Sequence, residues 1–272
     1  MNFLEKLGEA IAKNRSLLCV GLDPDPALMP RDIDVLDFNK AIIDHTADLV
    51  CAYKPNIAFY EALGPAGLDV LKNTRDYIPS RLPVIIDAKR GDIGNTARAY
   101  AQGLFDYYGF DAATVSPYLG HDALEPFINY RDRGIFVLCR TSNAGAADFQ
   151  SLRFEAAGGP KMLFEIVAEK VNRWNEYGNL GLVVGATYPG ELKVIRQRYP
   201  EMPLLIPGVG AQGGDLAKVV SDGVDADRRR TIINSSRQII YASQGKDFAA
   251  AAGRAARELR DKINDYLARP AR

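Results

Sequence analysis

From one end to the other the chain alternates short, uninterrupted apolar runs with longer stretches whose apolar residues recur at helical spacing. No other property of the sequence restricts the fold as much. The apolar runs lie at 17–22, 50–54, 83–88, 112–116, 135–139, 181–185, 204–206 and 231–234. Helical patterns lie at 2–13, 35–49, 65–77, 94–107, 121–131, 160–177, 189–198, a short one from 215, and an alanine-rich one at 248–267. A strand that is apolar on consecutive residues is buried on both faces, as in a parallel sheet covered by helices. Roughly eight such units without a linker predict an α/β fold, a single-domain (β/α)8 TIM barrel over residues 1–272. Unit lengths vary too much for a solenoid.

The polar residues fall in a regular place. Asp23, Lys54, Asp87 with Lys89, Ser142, Thr187, Gln212 and Arg237 all lie at or just beyond the C-terminal end of a run, the face on which such barrels carry their active sites. The third run is the densest, reading Val84-Ile85-Ile86-Asp87-Ala88-Lys89-Arg90-Gly91-Asp92. Strand alternation sends Asp87 and Lys89 one way and Arg90 the other, and Gly91 then bends the chain before Asp92. Alone, this segment reads equally well as a solvated strand end or a structural ion pair.

Charge and rare residues narrow the chemistry. Lys plus Arg equals Asp plus Glu at 34 each, so no net field draws the molecule to nucleic acid or an anionic membrane, and any anion site must be local. The apolar runs are far shorter than the roughly 20 residues that span a bilayer, and the first residues lack a signal-peptide pattern, so the default location is the cytoplasm. Cys19, Cys51 and Cys139 are far apart and read as buried hydrophobes. His45 and His121 show no metal-ligand spacing, which favours lysine and carboxylate chemistry over histidine chemistry.

After the seventh run the chain reads Pro207-Gly208-Val209-Gly210-Ala211-Gln212-Gly213-Gly214-Asp215, and after the eighth Asn234-Ser235-Ser236-Arg237. Glycines let backbone N–H groups approach an anion, the helix that follows adds its dipole, and Arg237 adds a guanidinium; together they predict a phosphate cradle. Gly208, Gly210 and Gly213 also spell the dinucleotide fingerprint G-x-G-x-x-G. That fold needs several strands after the fingerprint, and only one remains here.

With these segments in view the chain resembles the orotidine 5'-phosphate decarboxylases, most closely the longer-chain second subfamily. The D-x-K-x-x-D core stands as Asp87, Lys89 and Asp92 in DAKRGD, flanked by KPNIAFYEALG from Lys54, RTSNAGA around Ser142, PGVGAQGGD from Pro207 and NSSR ending at Arg237. The resemblance implies that Lys54, Asp87, Lys89 and Asp92 form a network of alternating charge, with Lys89 as proton donor. It implies that Asp23 binds the ribose, Ser142 the pyrimidine edge, and Pro207, Gln212, Gly213, Ser236 and Arg237 the phosphate region. Asp92 and Thr96 would reach the site of a neighbouring subunit, making a homodimer with shared active sites. Orotidine 5'-phosphate would be the substrate and UMP the product, with neither metal nor cofactor. Two positions depart from the usual pattern: Ala144, where proline is common, and the basic loop Asp227-Arg228-Arg229-Arg230, which bears on loop rigidity and on phosphate-side electrostatics.

Two other readings compete. A Mg2+-dependent sugar-phosphate decarboxylase or aldolase shares the D-x-K-x-x-D core, but a hard cation needs carboxylates at the mouth, and Lys54 stands where such relatives carry an acid. A noncatalytic phosphometabolite-binding barrel would need the cradle and no charge network.

Overall fold

The computed structural model describes residues 1–155, 159–209 and 214–269. Five strands come first: β1 (Leu18–Leu22), β2 (Ala52–Pro55), β3 (Ile85–Arg90), β4 (Ala112–Val115) and β5 (Gly134–Arg140). A two-stranded hairpin, β6 (Arg153–Phe154) and β7 (Lys161–Met162), precedes β8 (Leu180–Val184), β9 (Leu204–Ile206) and β10 (Thr231–Ser235). Between β1 and β4 lie helices α2 (Val35–Thr46), α3 (Ile57–Glu61), α4 (Pro65–Tyr77) and α5 (Gly94–Gln102), after the leading α1 (Phe3–Asn14). The rest are α6 (His121–Ile128), α7 (Ala147–Gln150), α8 (Leu163–Trp174), α9 (Pro189–Arg198), α10 (Leu216–Gly223), α11 (Arg237–Ile240) and α12 (Phe248–Ala268).

The eight long-range strands pair in parallel in the order β2-β1-β10-β9-β8-β5-β4-β3. Isolated parallel bridges Tyr53–Val84 and Asn56–Asp87 join the two ends of that sheet, which closes the barrel. The apolar runs are buried on both faces because one face meets the barrel interior and the other the helices.

The interior is small. Cys19, Ile85, Ala112, Phe136, Val183, Leu205 and Ile232 form one apolar cluster, joined from below by Phe3 and Leu7 of α1. Helix α1 starts where it does because Asn2 and Glu5 exchange hydrogen bonds in a capping box, at 3.0 and 2.8 Å. Phe3 then meets Phe136 edge-on, with ring centroids 5.6 Å apart, and a Cβ on Gly134 would sit 2.6 Å from its ring. Above this layer the same alternation brings up polar residues: Lys54 two after Ala52, Asp87 two after Ile85, Thr114 two after Ala112, Asn234 two after Ile232.

Most predicted boundaries hold within a few residues. The pattern at 35–49 ends early, at Thr46, because the Asn14 amide takes the carbonyls of Ala47 and Val50. The helix expected over 94–107 divides at Gly103 into α5 and a π-helical turn, Gly103–Tyr107, which keeps Leu104 and Phe105 buried and leaves Tyr107 exposed. The helix expected from 160 begins at Leu163, since Lys161 and Met162 pair with Phe154 and Arg153. The cysteines are free and buried, as expected.

The basic loop 227–230 precedes β10 and so lies at the opposite end of the barrel from the strand C-termini, where the sequence predicts a phosphate cradle. Asp225 accepts the backbone N–H groups of Arg229 and Arg230, and Arg230 pairs with Glu201 at 2.6 Å. Its charge is thus placed away from the predicted phosphate side.

Candidate active site

The β3 strand does not run regularly to its end. Ile86 pairs with Ala113 but Arg90 pairs with Val115, so β3 spends four residues where β4 spends two. Lys89 absorbs the excess in a left-handed conformation, φ +47°, which costs a non-glycine residue about 1–2 kcal/mol. Its backbone N–H donates to Thr114 Oγ1 at 3.0 Å, and Thr114 Oγ1 donates to Asp87 Oδ1 at 2.8 Å. Held this way, Lys89 Nζ lies 2.7 Å from Asp87 Oδ1, and Lys54 Nζ reaches Asp87 Oδ2 from β2 at 3.2 Å. Arg90 faces away, pairing with Glu61 at 2.6 Å.

The three charges differ in exposure. The Lys54 and Asp87 side chains are 5% and 13% exposed, whereas that of Lys89 is 48% exposed. Burial alone would raise the Asp87 carboxyl, but Lys54 and then Lys89, with hydrogen bonds from Lys89 and Thr114, hold it well below the usual carboxylate range. Burial likewise works against the Lys54 ammonium, yet Asp87 and then Asp23 hold it above the ordinary lysine value. Lys54 and Asp87 are therefore both ionised at neutral pH.

A cavity of about 440 Å³ opens above these groups at the strand C-termini. Of the residues named from the sequence, Asp23, Lys54, Asp87, Lys89, Ser142, Pro207, Ser236 and Arg237 all line it. Asp23 Oδ1 is buried and has no hydrogen-bond partner among the described residues, the condition of an acceptor awaiting a ligand's donor. Ser236 comes so close to β1 that a Cβ on Gly21 would lie 1.8 Å from its Oγ, so any larger residue there would displace the Ser236 side chain. Thr187 stands beside the cavity and donates to the Ser142 carbonyl at 3.4 Å. Gln212 and Gly213 lie outside the described residues.

Asp92 and Thr96 do not line this cavity. Asp92 Oδ1 accepts the N–H of Ile93 at 2.8 Å, and Thr96 is exposed on the first turns of α5. The chain's own charge network therefore contains three of the four residues expected in it.

Asn56, Phe59, Thr114, Thr141 and Asn143 also line the cavity and were not anticipated; Asn234 and Ser235, from the segment read as part of a phosphate cradle, line it too. Strand parity would have found Thr114. Asn56 caps α3, accepting from Ala58 N–H at 3.1 Å, a short helix that the sequence pattern does not reveal. Among the described residues no group of three or more His, Cys, Asp or Glu side chains is gathered as a metal site.

Known proteins are similar to this chain in sequence and in fold. The family model "Orotidine 5'-phosphate decarboxylase / HUMPS family" matches residues 16–252. An orotidine 5'-phosphate decarboxylase of Dehalococcoides mccartyi (strain CBDB1) is 55% identical over 269 residues, covering 99% of this chain and 100% of the relative. One from Thermomicrobium roseum is 52% identical, covering 97% and 95%. Among solved structures, the Leishmania donovani OMP decarboxylase superposes with a TM-score of 0.86 at 40% identity, covering 98% of this chain and 99% of that one. A closed barrel with its charged mouth, a family model over most of the length and relatives matched end to end agree: the chain belongs to the orotidine 5'-phosphate decarboxylase / HUMPS family.

Proposed function

We propose that residues 1–272 act as one catalytic barrel that decarboxylates orotidine 5'-phosphate to UMP and CO2, the last step of de novo UMP synthesis. The observation that carries the chemistry is the Lys89 ammonium, 2.7 Å from Asp87 and open to the cavity. Loss of CO2 leaves an electron pair at C6 that the ring cannot delocalise, so a cation beside that carbon must stabilise the charge and then supply the proton. Lys89 does both. Asp87 and Lys54 hold it in place, since a side chain in a three-charge array has few other positions to adopt.

Asp87 also stands where the substrate carboxylate would approach. Two carboxylates about 4 Å apart repel by about 4 kcal/mol at an effective dielectric near 20, and departure of CO2 relieves that repulsion. Asp23 takes the ribose hydroxyls, Ser142 the pyrimidine edge, and Pro207, Gln212, Gly213, Ser236 and Arg237 the phosphate region. The phosphate is remote from the bond that breaks, so its binding energy serves to hold the ring in place.

The site works without metal or cofactor in this reading, because a buried ammonium, Lys54, occupies the strand end where a divalent ion would need a carboxylate. It is completed by a second subunit. Asp92 adjoins a rim of exposed apolar side chains, with Ile93 56%, Tyr100 39%, Tyr118 85% and Leu119 47% exposed. Ile93, Thr96 and Tyr100 share one side of α5 by helical spacing, and the Arg90 carbonyl accepts the Ser116 N–H at 2.8 Å, bringing Tyr118 and Leu119 alongside. Such a rim suits a homodimer that carries Asp92 and Thr96 into the partner's cavity. No helix among the described residues is long and apolar enough to cross a membrane, and a biosynthetic role of this kind fits the cytoplasm.

The test is direct: purified protein is mixed with orotidine 5'-phosphate in excess chelator, and ultraviolet absorbance is followed. Loss of the orotate chromophore is expected. Turnover that disappears with chelator and returns with Mg2+ would instead favour the sugar-phosphate reading.

A further inference from the structure

Arg140 is a buried guanidinium, 2% exposed, that the chemistry above does not use. It closes β5, where Leu138 pairs with Val183 but Arg140 pairs with Val184, so one extra residue on β5 re-aims the side chain. Its Nε donates to the Glu191 carboxylate in the first turn of α9, and its guanidinium lies 3.8 Å from the centre of the Tyr188 ring. Its Nη1 donates to Gln150 Oε1 at 3.3 Å.

Gln150 passes the restraint on. Its Oε1 accepts the Thr141 N–H at 2.9 Å, its Nε2 donates to Thr141 Oγ1 at 2.9 Å, and the Thr141 hydroxyl donates to Asn143 Oδ1 at 2.6 Å. From the other side the Arg140 carbonyl accepts the Gly185 N–H at 2.7 Å, and a Cβ on Gly185 would come within 2.9 Å of Ser142. Thr141, Ser142 and Asn143, the three residues that follow Arg140, all line the cavity.

The molecule supplies its own contrast. Arg196 is also buried, but its guanidinium donates to the carbonyls of Gly223, Tyr199, Pro200 and Met202 and to the Thr231 hydroxyl, none of which lines the cavity, as expected of an arginine that only ties elements together. Arg140 ties α9 and α7 to a segment that faces the ligand.

We propose that Arg140, braced by Glu191 and extended by Gln150, is a positioning residue that fixes Ser142 and Asn143 against the pyrimidine, so that it governs affinity for the base and not for the ribose phosphate. This rests on the reading of Ser142 as a base contact.

The test compares UMP with ribose 5-phosphate, which lacks the base, by calorimetry on wild type, Gln150→Ala, Arg140→Lys, Ser142→Ala and the Gln150→Ala/Ser142→Ala double variant. Gln150→Ala is expected to weaken UMP about tenfold, the worth of one or two hydrogen bonds, and to leave ribose 5-phosphate within about twofold. Arg140→Lys, which keeps the charge but loses the planar fork, should show the same selectivity. The double variant should lose less than the product of the two single effects. Equal weakening of both ligands by Gln150→Ala, or of neither, or full multiplicativity in the double variant, would overturn the proposal. If Arg140→Lys does not fold, Gln150→Ala, at the half-buried last residue of α7, still decides. Unchanged UMP affinity in Ser142→Ala would remove the base contact itself and the inference with it, whereas turnover in the absorbance assay would show the decarboxylase reading intact.

Discussion

The two sides of the cavity are built differently. On the β2–β4 side three charged groups from two strands lock one another in place, and both inner members, Lys54 and Asp87, are buried. On the β9–β10 side the described contributions are a loop with Gly208 at φ +95°, the buried Asn234 and Ser235, and Arg237 at the start of α11. A rigid charge array suits a step in which charge moves by an ångström or two; backbone and a long side chain suit a group that is held and released. Under the proposed function the contrast makes chemistry and grip separable, and substitutions can pull them apart.

The largest separation is expected at Lys89. Lys89→Ala should lower turnover by at least about 10⁴-fold, combining a lost electrostatic stabiliser and a lost acid, while UMP affinity measured by calorimetry changes far less. A comparable fall in both would merge the two sides. Next comes the rim: Lys89→Ala and Asp92→Ala proteins, each nearly inactive, should recover roughly one quarter of wild-type activity when mixed and allowed to exchange subunits, since about half the dimers are hybrids with one intact site of two. Hybrids that form yet stay inactive would place Asp92 in its own chain's site.

At the gripping side, Arg237→Ala should weaken substrate by roughly 10–150-fold, the 1.5–3 kcal/mol of a charge-assisted contact, and added phosphite should partly restore turnover of a phosphate-free substrate. Unchanged affinity would remove Arg237 from the cradle. The charge array should also be visible in stability. Asp87 is held below its unfolded value near 3.9, so its contribution is present above that pH and is lost as pH falls through the folded value. Lys54 is held above its unfolded value near 10.4, so its contribution is complete below that pH and is lost as pH rises through the folded value. Asp87→Asn should therefore cost about 3–5 kcal/mol in urea unfolding at pH 6–8, with the difference from wild type shrinking below about pH 4. The smallest effect concerns the backbone: because Lys89 has φ +47°, Lys89→Gly should be about 1 kcal/mol more stable than Lys89→Ala, though both lack the ammonium.

Much of this architecture is legible in the sequence, for physical reasons. Strands buried on both faces announce themselves as apolar runs, and a closed barrel aligns their C-terminal ends, so Asp23, Lys54, Asp87, Ser142 and Arg237 converge although they are distant in the chain. What alternation cannot show is where it is broken. The irregular pairing of β3 and β5, which aims Lys89 and Arg140, depends on neighbouring strands and leaves no local signature. The hairpin of β6 and β7 is too short and too exposed for a periodic pattern. Asp92 sits five residues beyond Asp87 in one motif, yet turns onto the rim after Gly91, which lies against Ser116 so closely that a Cβ would be 3.2 Å from it.

The half-open position of Lys89 fixes the origin of one hydrogen atom. In the proposed reaction each turnover transfers a proton from its ammonium to C6 and leaves a neutral amine beside Asp87. With 48% of its side chain exposed, in contrast to the sealed Lys54, that amine can be reloaded from the surrounding water once the nucleotide departs, without a relay of buried groups. The new C6 hydrogen of UMP is thus drawn from the solvent, and product made in heavy water should carry deuterium at that carbon and at no other.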